Sequence, residues 1–257
     1  MTINQAFEIL KSAGGIRAAR IITENTKHFS KIAVWRMARA LRRGVPVAKI
    51  IHQKWFYGLK FYTNHHTLDP RPDTETLVAA VISDCNNNAQ PNILDLGTGT
   101  GCIIASLVKN ISGAHGVGID VSRGALRVAR KNIHQLNLTD KIRIVRKNFN
   151  APNAFGKNTF DIIVSNPPYI AVGDMRVDTG AQHDPKRALY ARDNGYAAYE
   201  LIAKNARNWI RGGGKIYLEI GIDMGARVRE IFEKRGWHFD RIETDLSGIE
   251  RVIVFSV

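Results

Sequence analysis

A chain of 257 residues, 44% of them apolar, is long enough for one large α/β domain with a small appendage and too apolar for global disorder. Its net charge of +14 is concentrated at one end: residues 1–66 hold 12 Lys/Arg against 2 Asp/Glu, and residues 67–257 hold 25 against 21. The two cysteines, Cys85 and Cys102, have no His or Cys at zinc-ligand spacing, no run approaches the ~18 apolar residues of a membrane span, and the charged N-terminus lacks the apolar core of a secretion signal. The expectation is a cytoplasmic chain with reduced thiols, no metal site and no membrane segment.

Residues 3–11 place Ile3, Phe7 and Leu10 at helical spacing, and Gly14-Gly15 predicts a break before a second helix over 16–25. Ser30 is positioned to cap a third helix over 31–43, with Val34, Met37, Ala38 and Leu41 on one face and Arg36, Arg39 and Arg43 on the other; Gly44 and Pro46 end it. Residues 1–53 therefore read as a small helical lobe, too small for a separate enzyme. Its basic balance suits an acidic protein or RNA, or is simply a solvated face. Residues 54–63 alternate around Gly58 as a hairpin, and 54–70 read as a β-hairpin linker in which Trp55, Phe56, Phe61 and Tyr62 are packing side chains. The prolines of Pro70-Arg71-Pro72-Asp73-Thr74-Glu75 forbid regular structure, and Asp73 or Thr74 can cap a helix over 75–84.

From residue 91 strands and helices alternate: strands over 93–96, 116–120, 142–145, 160–165 and 215–220, with helices over 101–110, from Ser122, over 196–209 and over 223–235. Gly212-Gly213-Gly214 is expected to turn the chain into the fifth of these strands, and residues 170–194 read as a long irregular loop. The pattern predicts a mostly parallel, Rossmann-like sheet with helices on both faces. Two last strands, near 237–242 and 251–256, joined without a helix, predict an antiparallel edge. The catalytic domain is expected over 71–257.

Two stretches carry the chemistry. In Ile93-Leu94-Asp95-Leu96-Gly97-Thr98-Gly99-Thr100-Gly101-Cys102 an apolar strand ends in an acid and a glycine turn opens a helix, the local geometry of a nucleotide site. The glycines do not match Gly-x-Gly-x-x-Gly, so the turn by itself is ambiguous. Asp120 ends the next strand, where a carboxylate can accept hydrogen bonds from ribose hydroxyls or cap a helix. Phe149 follows the third strand, where a ring can stack on adenine or fill the core, and Asn148 can bond the base edge. The second stretch is Asn166-Pro167-Pro168-Tyr169. The lone pair of an amide or exocyclic amine is delocalised. The Asn166 side-chain oxygen and the Pro167 carbonyl can each take one N–H, aiming that lone pair at a sulfonium methyl and stabilising the charge that develops on nitrogen. The prolines stiffen the backbone, and Tyr169 offers a flat face for a planar group. Together the stretches read as an S-adenosylmethionine-dependent methyltransferase acting on a planar nitrogen.

Arg71-Pro72-Asp73-Thr74-Glu75, Asp95 to Gly101, Asn166 to Tyr169 and the tail Asp245-Leu246-Ser247-Gly248-Ile249-Glu250-Arg251-Val252 give the chain, over essentially its whole length, a resemblance to the glutamine N5-methyltransferases of peptide chain release factors. The resemblance implies the acceptor, the glutamine of a Gly-Gly-Gln loop. It also implies that Gly97, Thr98, Gly99, Thr100 and Gly101 hold the methionine part of S-adenosylmethionine, that Asp120 takes the ribose, and that Asn148 and Phe149 meet adenine. Asn166 belongs to the cofactor site as well as the catalytic one. Asn166, Pro167, Pro168 and Tyr169 would grip the glutamine amide, and the helical lobe would contact the release factor. Two departures from the family pattern are Asn148, where an acid is common, and His183-Asp184-Pro185, where an aromatic-Glu-Pro run is common.

Two rival readings stay open: methylation of an exocyclic base amine in RNA or DNA, and a non-catalytic RNA- or protein-binding module on a methyltransferase fold. Flipping a base from a duplex needs additional recognition surface, and only residues 1–66 precede the catalytic lobe, so no stable nucleic-acid partner is expected. Asn166 and Asp120 stand against the non-catalytic module.

Overall fold

The computed structural model describes residues 1–85, 90–151, 154–171, 173 and 182–257. It begins with three helices, α1 (Ile3–Asn25), α2 (Lys31–Arg42) and α3 (Val47–Ile51). The Thr2 hydroxyl and the Gln5 side chain form a reciprocal cap on α1, and Gly15, at φ 85° and ψ 168°, breaks it where the glycine pair predicts. The Ser30 hydroxyl accepts from the Ala33 N–H at 3.1 Å and caps α2 as expected. Gly14 lets these helices approach closely: a Cβ there would lie 2.9 Å from Leu41 Cδ1. Between them Ala6, Leu10, Ala19, Ile22, Val34 and Ala38 are buried, while Arg36, Arg39 and Arg43 are exposed.

The hairpin follows as β1 (Lys54–Phe56) and β2 (Leu59–Phe61), turning through Tyr57 and Gly58, both with positive φ. Phe56 and Phe61 are buried as expected. Trp55 corrects the packing expectation: it is 63% exposed, with the Lys60 ammonium 5.6 Å from its ring.

The remaining elements are α4 (Thr74–Asp84), β3 (Asn92–Leu96), α5 (Cys102–Asn110), β4 (His115–Asp120), α6 (Arg123–Gln135), β5 (Ile142–Arg146), β6 (Phe160–Ser165), β7 (Ile170–Ala171), α7 (Lys186–Leu189), β8 (Tyr190–Ala191), α8 (Ala197–Ala206), β9 (Ile210–Glu219), α9 (Gly225–Glu233), β10 (His238–Thr244) and β11 (Glu250–Ser256). Seven strands form one sheet in the order β10-β11-β9-β6-β3-β4-β5. Strands β5, β4, β3, β6 and β9 pair in parallel; β11 pairs antiparallel with both β9 and β10. The fold is the expected Rossmann-like α/β sheet with an antiparallel edge, and the strand that runs against the others lies one place in from that edge.

Side chains alternate between the faces. Ile93, Ile162, Val164 and Tyr217 point to the side covered by α4, α5 and α6, while Leu94, Ile163, Ile216 and Leu218 point to the side covered by α8 and α9. Three bounds differ from the sequence reading. Helix α8 stops at Ala206, because the Trp209 N–H turns back to the Ala206 carbonyl at 2.9 Å and its indole is fully buried. Strand β9 starts at Ile210, ahead of the glycines: Phe160 pairs with Ile210 but Ile162 already pairs with Lys215, so Gly212, Gly213 and Gly214 are accommodated in a bulge. The segment read as a wholly irregular loop over 170–194 contains β7, α7 and β8; residues 172 and 174–181 lie outside the described residues.

One buried cation ties the N-terminal helices to the rest. Lys49 of α3, 7% exposed, donates to the Asn64 and Thr67 carbonyls at 3.0 and 2.8 Å and to Asp69 Oδ1 at 3.1 Å. Its Nζ lies 2.7 Å from Asp184 Oδ1, whose other oxygen meets Arg71 at 2.8 Å. Burial raises the Asp184 pKa, and the Lys49 bond and charge oppose that. Removing one member of a buried ion cluster leaves the others uncompensated. Lys49→Met should therefore cost about 3–5 kcal/mol, read by urea denaturation, whereas exposed Arg36→Met should be near neutral.

Candidate functional site

Strand β3 lies between β4 and β6, so the chain leaves its C-terminal end with neighbours reached in opposite directions along the sheet. Such a switch point opens a crevice in α/β sheets. In this sheet it opens into a cavity of about 720 Å³. Of the residues singled out from sequence, Gly97, Thr98, Gly99, Thr100, Asp120, Asn148, Phe149, Asn166 and Pro168 line it; Gly101, Pro167 and Tyr169 do not.

The glycine turn is held from below. The Gly97 and Thr98 N–H groups both donate to the Ile119 carbonyl, at 2.9 and 2.8 Å, and the Thr98 hydroxyl donates to Asp95 Oδ2 at 2.6 Å. Gly97, Gly99 and Gly101 have φ of 75°, 53° and 80°, a region that favours glycine. Among the described residues, no atom lies within 4 Å of a Cβ built on Gly97, so the turn leaves a bare backbone cradle. Gly101 faces α6 rather than the cavity: a Cβ there would make ordinary contact with Ala129 Cβ at 3.5 Å, so its positive φ is what calls for glycine. Asp95 is fully buried, and burial raises its carboxyl to about 7, against the Thr98 hydroxyl and the Ile104 N–H. Through Oδ2 it holds the Thr98 hydroxyl of the turn at 2.6 Å. Burial likewise pushes the Cys102 thiol up to about 12, which makes it inert.

Asp120 accepts from the Ser122 N–H through Oδ1 at 2.8 Å and from the Gly99 N–H through Oδ2 at 3.2 Å. Ser122, not Asp120, caps α6, its hydroxyl accepting from the Ala125 N–H at 3.2 Å. Each carboxylate oxygen keeps acceptor capacity toward the cavity. Burial raises the Asp120 pKa; the Ser122, Gly99 and Val121 N–H groups and the Arg187 charge oppose it. Phe149 is half-buried, with its carbonyl taken by the Asn205 amide at 2.8 Å. Asn148 is exposed, and its Oδ1 turns back to the Asn150 N–H at 3.0 Å.

Asn166 follows β6, whose last residue, Ser165, donates its hydroxyl to the Leu96 carbonyl at 2.8 Å. The Asn166 Nδ2 donates to the Thr74 hydroxyl at 3.1 Å. Pro167 is buried. Tyr169 packs its ring against Gly221 and sets its hydroxyl 3.4 Å from Glu219 Oε1. Gly195, at φ 97°, sits so close beneath the Tyr169 carbonyl that a Cβ would collide with it. Glu219, the last residue of β9, is 2% exposed. Burial raises its carboxyl to about 7, and the Thr74 hydroxyl draws it back down. The Pro70-to-Glu75 loop, which the sequence leaves open as an active-site wall or a capped linker, contributes Pro70, Arg71 and Thr74 to the cavity lining, while His66, Arg187 and the bordering Glu219 escape the sequence reading. A signal existed for Glu219, a carboxylate at the end of an otherwise apolar strand segment over 216–220.

Neither Asp73 nor Thr74 caps α4 with its side chain, which corrects the sequence expectation. Asp73 pairs with Arg251 at 3.0 Å, and Arg251 pairs with Asp245 at 2.8 Å, so the Arg71-to-Glu75 segment and the tail 245–252 meet beside the cavity.

A family model described as "Methyltransferase small domain" matches residues 72–184. The chain is 37% identical over 241 residues to a Rickettsia felis protein named bifunctional methyltransferase, covering 82% of this chain and 45% of that one, so it spans about half the length of this relative. It is 37% identical over 213 residues to a Francisella tularensis protein named release factor glutamine methyltransferase, covering 82% of this chain and 74% of that one. A SAM-dependent methyltransferase structure from Aquifex aeolicus matches with a TM-score of 0.51 over 73% of this chain and 94% of that one, at 16% identity, a likeness of fold. The cofactor is S-adenosylmethionine, and the glycine cradle and the acceptor capacity of Asp120 fit it.

Two outcomes test this geometry. Asp120→Ala should weaken S-adenosylmethionine binding by about 10- to 100-fold in calorimetry, the worth of hydrogen bonds to a charged group. Glu219 binds a proton more tightly folded than unfolded, so ionising it opposes folding as pH rises from its ordinary 4.5 to about 7. Glu219→Gln should therefore gain melting temperature relative to the parent as pH rises through that window, and the difference should level off above it.

Proposed function

Because this chain belongs to the S-adenosylmethionine-dependent methyltransferase family that includes the release factor glutamine methyltransferases, we propose that it methylates the side-chain amide nitrogen of the glutamine in the Gly-Gly-Gln loop of peptide chain release factors. The observation that carries this reading is that Asn166 lines the same cavity as the glycine cradle and Asp120. An acceptor for a planar N–H group and the place for the donor share one space.

In this reading Gly97 to Gly101 border the methionine part of the cofactor, Asp120 accepts from the ribose hydroxyls, and Asn148 and Phe149 flank the adenine. When bound, the cofactor supplies an electrophilic methyl on a sulfonium. Asn166 Oδ1 and the Pro167 carbonyl each accept one N–H of the glutamine amide. That orients the nitrogen lone pair and stabilises the positive charge that nitrogen acquires as the N–C bond forms. Pro168 walls the cavity beside Asn166, and Tyr169 anchors the segment from behind through Glu219. No strong base is required before transfer, since the proton leaves the methylated nitrogen afterwards. The exposed arginines of α2 give the helical lobe a basic face suited to an acidic protein partner, and a cytoplasmic location follows from that partner.

The test incubates the protein with methyl-labelled cofactor and, separately, a release factor and RNA. Label in the Gly-Gly-Gln peptide supports the reading; label in RNA alone rejects it. Asn166→Ala should lower kcat by about 100- to 1,000-fold, the cost of losing one preorganised polar partner of the developing charge, with cofactor affinity little changed. An affinity loss equal to the rate loss would show that Asn166 serves cofactor binding rather than the acceptor amide.

A further inference from the structure

Helix α6 and the β1–β2 hairpin form a surface that the catalytic reading does not use. A surface helix can neutralise its cations internally, and α9 does so: Arg227 and Lys234 pair with Glu230, and Arg229 pairs with Glu233. Helix α6 has no such partners. Residues 121–139 contain no Asp or Glu, and among the described residues no carboxylate pairs with its exposed Arg123, Arg127, Arg130 or Lys131. Residues 25–68, which include the hairpin, contain no acid either. The carboxylate that reaches the hairpin, Glu75, accepts from the Tyr57 N–H at 2.9 Å. The two acid-free stretches are folded onto each other. Buried Asn132 of α6 accepts from the Tyr62 N–H at 2.7 Å and donates to the Tyr62 carbonyl at 3.0 Å. Tyr62 stacks on His52, and the Lys131 ammonium sits 3.5 Å from the centre of its ring. Nearer the start of α6, His66 packs so closely on Gly124 that a Cβ there would lie 2.5 Å from its Cγ. On the hairpin, Trp55 and Lys60 stand opposite each other on the face turned away from buried Phe56 and Phe61.

We propose that the outer face of the hairpin and α6 is a binding surface for single-stranded RNA. Arg123, Arg127 and Lys131 recur every fourth residue of α6, which spaces them about 6 Å apart along the helix axis. Such a row suits successive phosphates. Trp55 is the ring left open to a base, at 63% exposure, with the Lys60 ammonium beside it. Exposed His65 and His66 lie ring to ring, 3.9 Å between centroids, and add a second flat group between Tyr62 and the cavity that His66 lines. An acidic protein would call for the cations alone. A duplex keeps its bases stacked away from such rings. A single strand presents a charge and a flat base at every nucleotide, which is the pairing of groups this face offers. The expectation of no stable nucleic-acid partner concerns base flipping from a duplex, and binding a single strand requires none.

The test follows binding of a fluorescein-labelled oligoadenylate of about 20 nucleotides, long enough for a single-strand site, by anisotropy from about 50 to about 200 mM salt. With Lys60, Arg123, Arg127 and Lys131 on phosphates, the logarithm of the association constant should fall against that of salt with a slope of about −3, roughly 0.7 for each contact. Arg127→Gln and Lys131→Gln should each flatten the slope by about 0.7. Trp55→Ala should weaken binding about 5- to 100-fold at unchanged slope, the worth of one stacked base. Arg36→Gln, on α2, should alter neither. These side chains are exposed, so melting temperatures should match the parent; if Trp55→Ala does not fold, Trp55→Leu, apolar but without a π-face, replaces it. Absence of binding at the lowest salt, a slope unaltered in both Gln variants, or an affinity unaltered at position 55 overturns the proposal. So does equal affinity for a polyglutamate of the same length, which would assign the face to an acidic protein, or for phosphatidylserine vesicles, which would assign it to a membrane. None of these measurements involves methyl transfer, so the glutamine reading stands or falls separately.

Discussion

The register of three parallel strands is the constraint from which the site follows. Leu96 of β3 pairs with Ser165 on one side and Ile119 on the other. Neighbouring strands lie about 5 Å apart, so the residues one step further along, Gly97, Asn166 and Asp120, leave the sheet side by side. Hydrogen bonds at the strand ends fasten that alignment: the Ser165 hydroxyl to the Leu96 carbonyl, and the Gly97 and Thr98 N–H groups to the Ile119 carbonyl. A slip of one residue would turn each side chain to the opposite face and separate cradle, carboxylate and carboxamide. The apolar runs of β3, β4 and β6, buried on both faces, thereby set the geometry of polar atoms they do not contain.

Two buried carboxylates oppose folding and are kept. Asp95 and Glu219 both have pKa values raised to about 7 by burial. An aliphatic side chain in either place would pack without that cost. Asp95 uses its Oδ2 on the Thr98 hydroxyl, which fixes the glycine turn to the end of β3. Glu219 stands at the other side of the crevice, against Tyr169 and Thr74. Each spends one oxygen on a single hydroxyl, Thr98 for Asp95 and Tyr169 for Glu219.

Much of this was legible in the chain. The βα alternation, the Gly15 break, the Ser30 and Ser122 caps and the antiparallel edge follow from periodicity and capping chemistry acting over a few residues. The cavity-lining roles of Gly97, Asp120 and Asn166 were visible because each ends a strand whose direction the alternation fixes. What escaped was set by partners distant in sequence. Thr74 reads as a helix cap until Asn166, far along the chain, is folded against it. Trp55 reads as core because nothing local shows that its side of the hairpin faces solvent. The bulge in β9 escaped because three glycines look like a turn, and only pairing with β6 shows the strand continuing through them. Lys49 looks like one more surface lysine until Asp69 and Asp184 close over it.

That last case bears on how the N-terminal helices relate to chemistry. Lys49 lies in α3, yet it contacts Asp184, immediately before Pro185 and two residues before Lys186 opens α7. Pro185, Arg187 and Ala188 line the cavity, and the Arg187 charge acts on Asp120. Arg71, on the other oxygen of Asp184, also lines it, three residues before Thr74. The helical lobe is thus joined through one buried cluster to two stretches of the cavity wall, the one before α4 and the one opening α7. Buried ion pairs are poor sources of net stability but tolerate little misalignment, because separating them leaves charges without solvent. The lobe therefore cannot shift against the cavity wall without separating Lys49 and Arg71 from Asp184.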